Sequence, residues 1–180
     1  GQLGVGDTSE PWQPTQVGTD ADWATVACAG YHTLAVKNDG TLWAWGYGAN
    51  GALGLGSGDL TNRLSPVQVG TDADWLAVSG GESHSVGLKT DGSLWTWGDN
   101  TNGQLGLGAI GTCYEPTRVG VGSDWVSVAA GAQQTFALRG SDGTLWGAGE
   151  NDIGQLGLGD SSMRNVLTQL GTGTSWTCVA

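Results

Sequence analysis

The sequence predicts an all-β chain built from repeated four-stranded antiparallel units, and three observations carry that expectation. Glycine supplies 34 of 180 residues, too many for helix interiors, where each costs about 1 kcal/mol relative to Ala. No stretch places apolar residues at i, i+3, i+4 and i+7 over three turns. One string returns along the chain, as GQLGVGD at Gly1, GALGLGS at Gly51, GQLGLGA at Gly103 and GQLGLGD at Gly154, at spacings of 50, 52 and 51. Two further markers keep step with it. DW stands at Asp22-Trp23, Asp74-Trp75 and Asp124-Trp125, becoming Ser175-Trp176 in the fourth copy. A DG turn followed by Trp alternation reads DGTLWAWG from Asp39, DGSLWTWG from Asp91 and DGTLWGAG from Asp142. The glycines follow no G-X-Y period, which excludes collagen, and ten Trp give the chain apolar surface that a disordered segment lacks.

Each period divides into four short strands. Trp23 to Cys28 forms the first, and a Gly-containing corner leads to the second, His32 to Lys37, with its alternation of small and apolar side chains. The Asp39-Gly40 dipeptide then marks a hairpin, because both residues tolerate positive φ. The third strand runs from Leu42 to Trp45. A long loop rich in Gly and Asn follows. PTQVG (Pro14 to Gly18), SPVQVG (Ser65 to Gly70) and EPTRVG (Glu115 to Gly120) supply fourth strands. Such a unit is a β-propeller blade or a turn of a β-solenoid.

The pattern G-x-x-H-T-L-A-V, D-G-T-L-W-x-W-G, G-Q-L-G-L-G, P-x-x-V resembles the regulator of chromosome condensation repeat, over essentially the whole chain. The resemblance implies a seven-bladed β-propeller, here in about three and a half repeats. Near-identical tandem units with DGTLWAWG strings are most similar to bacterial members, which implies a bacterial protein, extracellular or on the cell surface. The repeats span 1–50, 51–102, 103–153 and a partial 154–180, with complete blades expected at about 23–70, 75–120 and 125–171. Repeat three departs most: Gln134 replaces His32 and His84, and Ala148 replaces Trp45 and Trp97. Its blade is expected to pack less tightly. Three blades cannot close a ring, so open sheet edges imply either further repeats or self-association of chains into an oligomer.

Composition narrows the function. Six Lys and Arg against seventeen Asp and Glu leave a net charge of -11, where nucleic-acid binding needs clustered cations. Direct nucleic-acid contact and an anionic membrane surface are therefore disfavoured, and a basic protein partner is suited. No apolar run approaches the roughly 18 to 20 residues of a membrane span. The chain opens at Gly1 without Met or signal-like regions and reads as a processed piece.

Candidate chemistry is sparse, and neither an enzyme nor a cofactor is expected. His32 and His84 occupy equivalent positions one blade apart, so they point alike instead of converging on a nucleophile. Each is expected to hydrogen-bond backbone of a neighbouring blade. GALGLGSG (Gly51 to Gly58) has no P-loop Lys and opens no helix, so it reads as a blade-corner turn. Asp20/Asp22 and Asp72/Asp74 read as turn residues, since the third repeat has Ser123-Asp124 and the fourth Thr174-Ser175. Cys28, Cys113 and Cys178 lack disulfide or zinc spacing and are expected to be buried thiols, with a Cys178 bridge to a partner chain as the minor alternative. The G-W-R-H-T motif of plant ultraviolet-B photoreceptors, which resemble this family, is AGYHT, GESHS and GAQQT here. Trp43, Trp45, Trp95, Trp97 and Trp146 therefore read as packing between blades.

Surface is what remains. In an up-down blade the loops from first to second and from third to fourth strand share one face, and the latter vary most between repeats. They offer Tyr47, Leu60, Arg63, Asp99, Ile110, Tyr114, Met163 and Arg164, a mixture suited to protein contacts. The expected function is a non-enzymatic protein-interaction scaffold. The alternatives are a structural or self-associating module of a larger surface protein and a regulator of an enzyme or small GTPase. The family resemblance covers both exchange-factor and inhibitor types.

Overall fold

The computed structural model describes residues 1–180. Twelve strands form three antiparallel sheets. The first sheet holds β1 (Trp23–Cys28), β2 (His32–Lys37), β3 (Leu42–Gly46) and β4 (Arg63–Gln68). The second holds β5 (Trp75–Gly80), β6 (His84–Lys89), β7 (Leu94–Gly98) and β8 (Cys113–Arg118). The third holds β9 (Trp125–Ala130), β10 (Gln134–Arg139), β11 (Leu145–Gly149) and β12 (Arg164–Gln169). Strands within each sheet lie in sequence order, and β5 touches both β1 and β9, so the first strands are innermost. This is the blade arrangement of a propeller. The segment 14–18 is not a strand: no third strand of this chain lies beside it to supply hydrogen bonds. The fourth strands also begin before the residues expected of them, at Arg63 and Cys113.

Blades pack face to face. Leu34, Val36, Leu42 and Ala44 of the first blade join Trp75 and Trp97 of the second, with Leu53 and Val69 from the connecting segments. Val86, Leu88 and Leu94 meet Trp125 and Ala137 in the same way at the next joint. That joint has the smaller core, because Ala148, fully buried, stands where Trp97 stands one blade earlier.

The DG turn is held differently from a two-residue hairpin. Gly40 has φ +80° whereas Asp39 does not enter the left-handed region. Asp39 instead accepts bonds from the Thr41 N–H and hydroxyl, and Thr41 Oγ1 accepts the Trp43 indole N–H at 2.9 Å. Asp91, Ser93 and Trp95 repeat this, as do Asp142, Thr144 and Trp146. The D-G-[ST]-L-W string is thus a relay from turn to indole.

Candidate functional site

The long loops are not simple corners. The first three GxLG segments cross onto the following blade: the Ala52 carbonyl accepts both the Ser85 hydroxyl, at 2.8 Å, and the Trp97 indole N–H, at 3.0 Å. Gln2 O receives Thr33 Oγ1 and Trp45 Nε1 in the same way. A Cβ on Gly54 would come within 2.9 Å of Trp97 Nε1, and Gly54 has φ +74°, so only glycine fits beneath that indole. The variable part of each loop is therefore a short tip, at 57–62, 109–112 and 160–163.

Of the loop-face residues expected from sequence, Leu60, Ile110 and Met163 are exposed on these tips. Arg63, Tyr114 and Arg164 lie on outer strands β4, β8 and β12 instead of in loops. Arg63 is paired with Asp59 and Arg164 with Asp160, each four residues away, so neither guanidinium is unneutralised. The Asp160 carboxyl is held below its usual range by Arg164 and the Ser162 N–H. Tyr114 is half-buried at a joint, its Cα 2.9 Å from where a Gly51 Cβ would lie. Asp99 receives Thr101 and the Gln104 amide, a local bracing role.

Tyr47 belongs to a second layer, an inner rim stitched by backbone bonds. Within blades, the N–H groups of Tyr47, Asp99 and Glu150 donate to the carbonyls of Tyr31, Ser83 and Gln133. Between blades, Gly30 N donates to Gly81 O and Glu82 N to Ala132 O. The rings of Tyr31 and Tyr47 meet edge to face with centroids 6.1 Å apart. Sequence reasoning named Tyr47 and missed Tyr31, although the shared face of the two loops placed them together.

The opposite face holds a motif that sequence reasoning missed. A bulge in each first strand shifts the register so that Trp23 opposes Lys37, Trp75 opposes Lys89 and Trp125 opposes Arg139. Lys37 lies 4.9 and 4.6 Å from the Trp23 and Trp43 ring centroids. Lys89 sits likewise over Trp75 and Trp95, and Arg139 over Trp125 and Trp146. Asp20 and Asp22 close the first cage, Asp72 and Asp74 the second, and Asp124 the third. These aspartates are ion-pair partners as well as turn residues. They bind the chain's own cations.

The histidines bridge blades through hydroxyls of the next blade, and His84 also meets the Gln134 backbone there. His32 Nε2 lies 2.8 Å from Ser85 Oγ, and His84 Nε2 3.1 Å from Thr135 Oγ1. Burial pushes both imidazoles down to about 4; the neighbouring His84 adds to this at His32, while Asp99 and the Gln134 backbone oppose it at His84. Gln134 replaces the connector in blade three and turns to Glu150, 3.5 Å away. Cys28 and Cys178 are exposed and Cys113 half-buried, contrary to the expected burial of all three, because first-strand position 28 faces away from the joint core.

Comparison with known proteins agrees with this architecture. The model of the regulator of chromosome condensation (RCC1) repeat matches residues 1–36, 39–88 and 91–138. The Arabidopsis thaliana ultraviolet-B receptor UVR8 is 36% identical over 167 residues, covering 89% of this chain and 37% of the receptor. The Xenopus laevis regulator of chromosome condensation is 32% identical over 93 residues, or 51% of this chain and 22% of that protein. The Saccharomyces cerevisiae Prp20p crystal structure, described with its binding to Gsp1p and histones, superposes with a TM-score of 0.84 at 21% identity. The match covers 97% of this chain and 45% of Prp20p, so the chain spans less than half of these relatives. With three successive repeats matched and three blades built from them, the chain belongs to the RCC1 repeat family.

Proposed function

We propose that the chain is a non-enzymatic protein-interaction segment of an RCC1-type propeller, and that the long-loop face makes the contact. The observation that carries this is the layering of that face. Recurring GxLG segments fasten loops onto the next blade, while Leu60, Ile110 and Met163 stand exposed on tips that differ between repeats. A rigid scaffold presenting variable apolar tips is the arrangement of a binding surface. The histidines support a non-enzymatic role, since both are buried connectors with no nucleophile converging on them. The Gsp1p, histone and Kap60 associations described for Prp20p favour a protein ligand.

A test compares the native chain with a Leu60→Asp, Ile110→Asp, Met163→Asp variant in cross-linking to a captured partner. Val121→Asp, exposed on the opposite face, serves as control. Loss of capture in the triple variant alone supports the reading. Equal capture by both variants overturns it.

A second reading, completion of the ring by further blades or a second copy, has its own observation. Val26 is 62% exposed on the first blade, whereas its equivalent Val78 packs into a joint core. Light scattering across a concentration series tests self-association, and a monomer at every concentration excludes it.

A further inference from the structure

We infer that Tyr31, Tyr47 and Glu82 form a receptor for a guanidinium or ammonium group of a basic polypeptide partner. The inference rests on the long-loop reading above and names the chemistry of what binds there. The molecule itself supplies the template. Three edge-to-face Trp pairs, Trp23–Trp43, Trp75–Trp95 and Trp125–Trp146, have ring centroids 5.9, 6.1 and 6.2 Å apart. Each carries a Lys or Arg of its own blade over both rings, with carboxylates alongside. The Tyr31–Tyr47 pair has the same separation, 6.1 Å, and an interplanar angle of 65° against 68° for Trp75–Trp95. It has no cation of its own. The remaining edge-to-face pairs, Trp23–Trp45 and Trp75–Trp97, are internal, with Trp45 and Trp97 buried beneath GxLG segments.

The tyrosines are open to a partner: Tyr31 is 54% and Tyr47 41% exposed. They are also pre-positioned, because Tyr47 N donates to Tyr31 O and Gly30 N to Gly81 O. That second bond sets the Glu82 backbone against Gly30, the residue before Tyr31; a Cβ on Gly30 would lie 2.9 Å from Glu82 Cα. Five of the six Lys and Arg are already engaged: Arg63 and Arg164 are neutralised by Asp59 and Asp160, and Lys37, Lys89 and Arg139 are sequestered in their cages. The sixth, Arg118, ends outer strand β8 and donates to the Val121 and Gly122 carbonyls. Glu82, Asp99 and Glu150 then line the rim with no ion-pair partner, in a chain of net charge -11. A cation held over aromatic faces and steered by such a field gains both affinity and on-rate.

The probe is a fluorescein-labelled (Arg-Gly-Gly)₅ peptide, with (Gln-Gly-Gly)₅ as neutral comparison, titrated by anisotropy at low and physiological salt. Salt-sensitive binding of the arginine peptide alone is expected. Tyr31→Ala and Tyr47→Ala each weaken it about three- to tenfold, Tyr→Phe at either position preserves it, and Glu82→Gln weakens it and flattens the salt dependence. Glu115→Gln, an equal charge change on outer strand β8, leaves it unchanged. The inference falls if the arginine peptide does not bind, if the Ala variants bind like the native chain, or if Glu115→Gln costs as much as Glu82→Gln. Should it fall while the triple tip variant still loses its partner, the binding face stands and only the chemistry assigned to its rim is wrong.

Discussion

His32 Nε2 lies 2.8 Å from Ser85 Oγ across the joint between the first two blades, and the same serine donates onward to the Ala52 carbonyl. The joint is thus clasped by a neutral imidazole. Burial holds His32 and His84 at about 4, against 6.5 for an exposed histidine. The unfolded chain therefore binds protons that the folded chain refuses, so stability is full above pH 6.5 and declines as pH falls towards 4. The loss should approach about 7 kcal/mol for the two together once the pH is below both folded values, and about half of that by pH 5. The turn aspartates Asp39, Asp91 and Asp142, held low chiefly by Thr41, Ser93 and Thr144, keep their contribution throughout this window and lose it only below the usual carboxylate range. Urea midpoints from pH 8 to 4 check this. A flat profile down to pH 5 contradicts it, and His84→Gln should remove about half of the slope.

Lys89 lies between Trp75 and Trp95 with its side chain nearly covered, 2.5 Å from Asp72 and 2.9 Å from Asp74. Burial pulls its pKa down, but the two carboxylates outweigh that and hold it above the usual lysine value. Lys89→Met leaves Asp72 and Asp74 facing each other and should cost about 1–3 kcal/mol in urea unfolding at pH 7. Lys89→Arg should retain most of the stability, since Arg139 fills the third cage. Equal stability of the Met variant would show that the cage contributes nothing.

Gly92 and Gly120 both have positive φ, +75° and +62°, in different surroundings. A Cβ on Gly92 would run into the Ser123 carbonyl, whereas nothing lies within 4 Å of one on Gly120. Gly120→Ala should cost about 1–2 kcal/mol, the backbone penalty alone. Gly92→Ala should cost ~3 kcal/mol or more, because the DG turn must also back away from the next blade. Thermal midpoints separate the two, and equal losses would remove the clash.

Trp97 is fully buried and gives its indole N–H to Ala52 O. Trp97→Ala should cost about 3–5 kcal/mol, chiefly as a cavity, since the Ser85 hydroxyl still donates to that carbonyl. The third blade tolerates Ala148 because its surroundings differ: Leu167 packs on the joint core where the second blade has Pro116, and Leu107 bridges to Val166. A loss under 1 kcal/mol in calorimetry would mean that the second blade can relax in the same way.

Much of this fold was legible because the repeat wrote it several times. Strand positions β1 to β3 follow from alternation and from the DG marker, since both are local signals. The unpredicted parts are those in which residues act at a distance. The GxLG strings read as corners because their targets, such as Trp97 for Ala52, lie about a repeat further on. The cages were hidden by a bulge: only the register shift between Trp75 and Ala77 sets Trp75 against Lys89. The histidine partners were misjudged for a related reason, as Ser85 and Thr135 look like ordinary strand residues until the blades are stacked. On the long-loop face, exposed tips were readable, while the charges at Arg63 and Arg164 could be seen as spent only once Asp59 and Asp160 were placed beside them.

The His-to-hydroxyl clasp has a bearing on how such chains change in length. His32 and Ser85 form one joint and His84 and Thr135 the next, so the middle blade carries a receiving hydroxyl at Ser85 and an outgoing imidazole at His84. An in-frame duplication of that unit would arrive with both halves of the fastening already installed. Any gain or loss by whole units therefore needs no compensating substitution at the seams, whereas a cut inside a unit leaves an imidazole facing nothing. Blade three is the exception, with Gln134 turned to its own Glu150, and marks the one seam here at which an added unit would have to be fitted instead of merely copied.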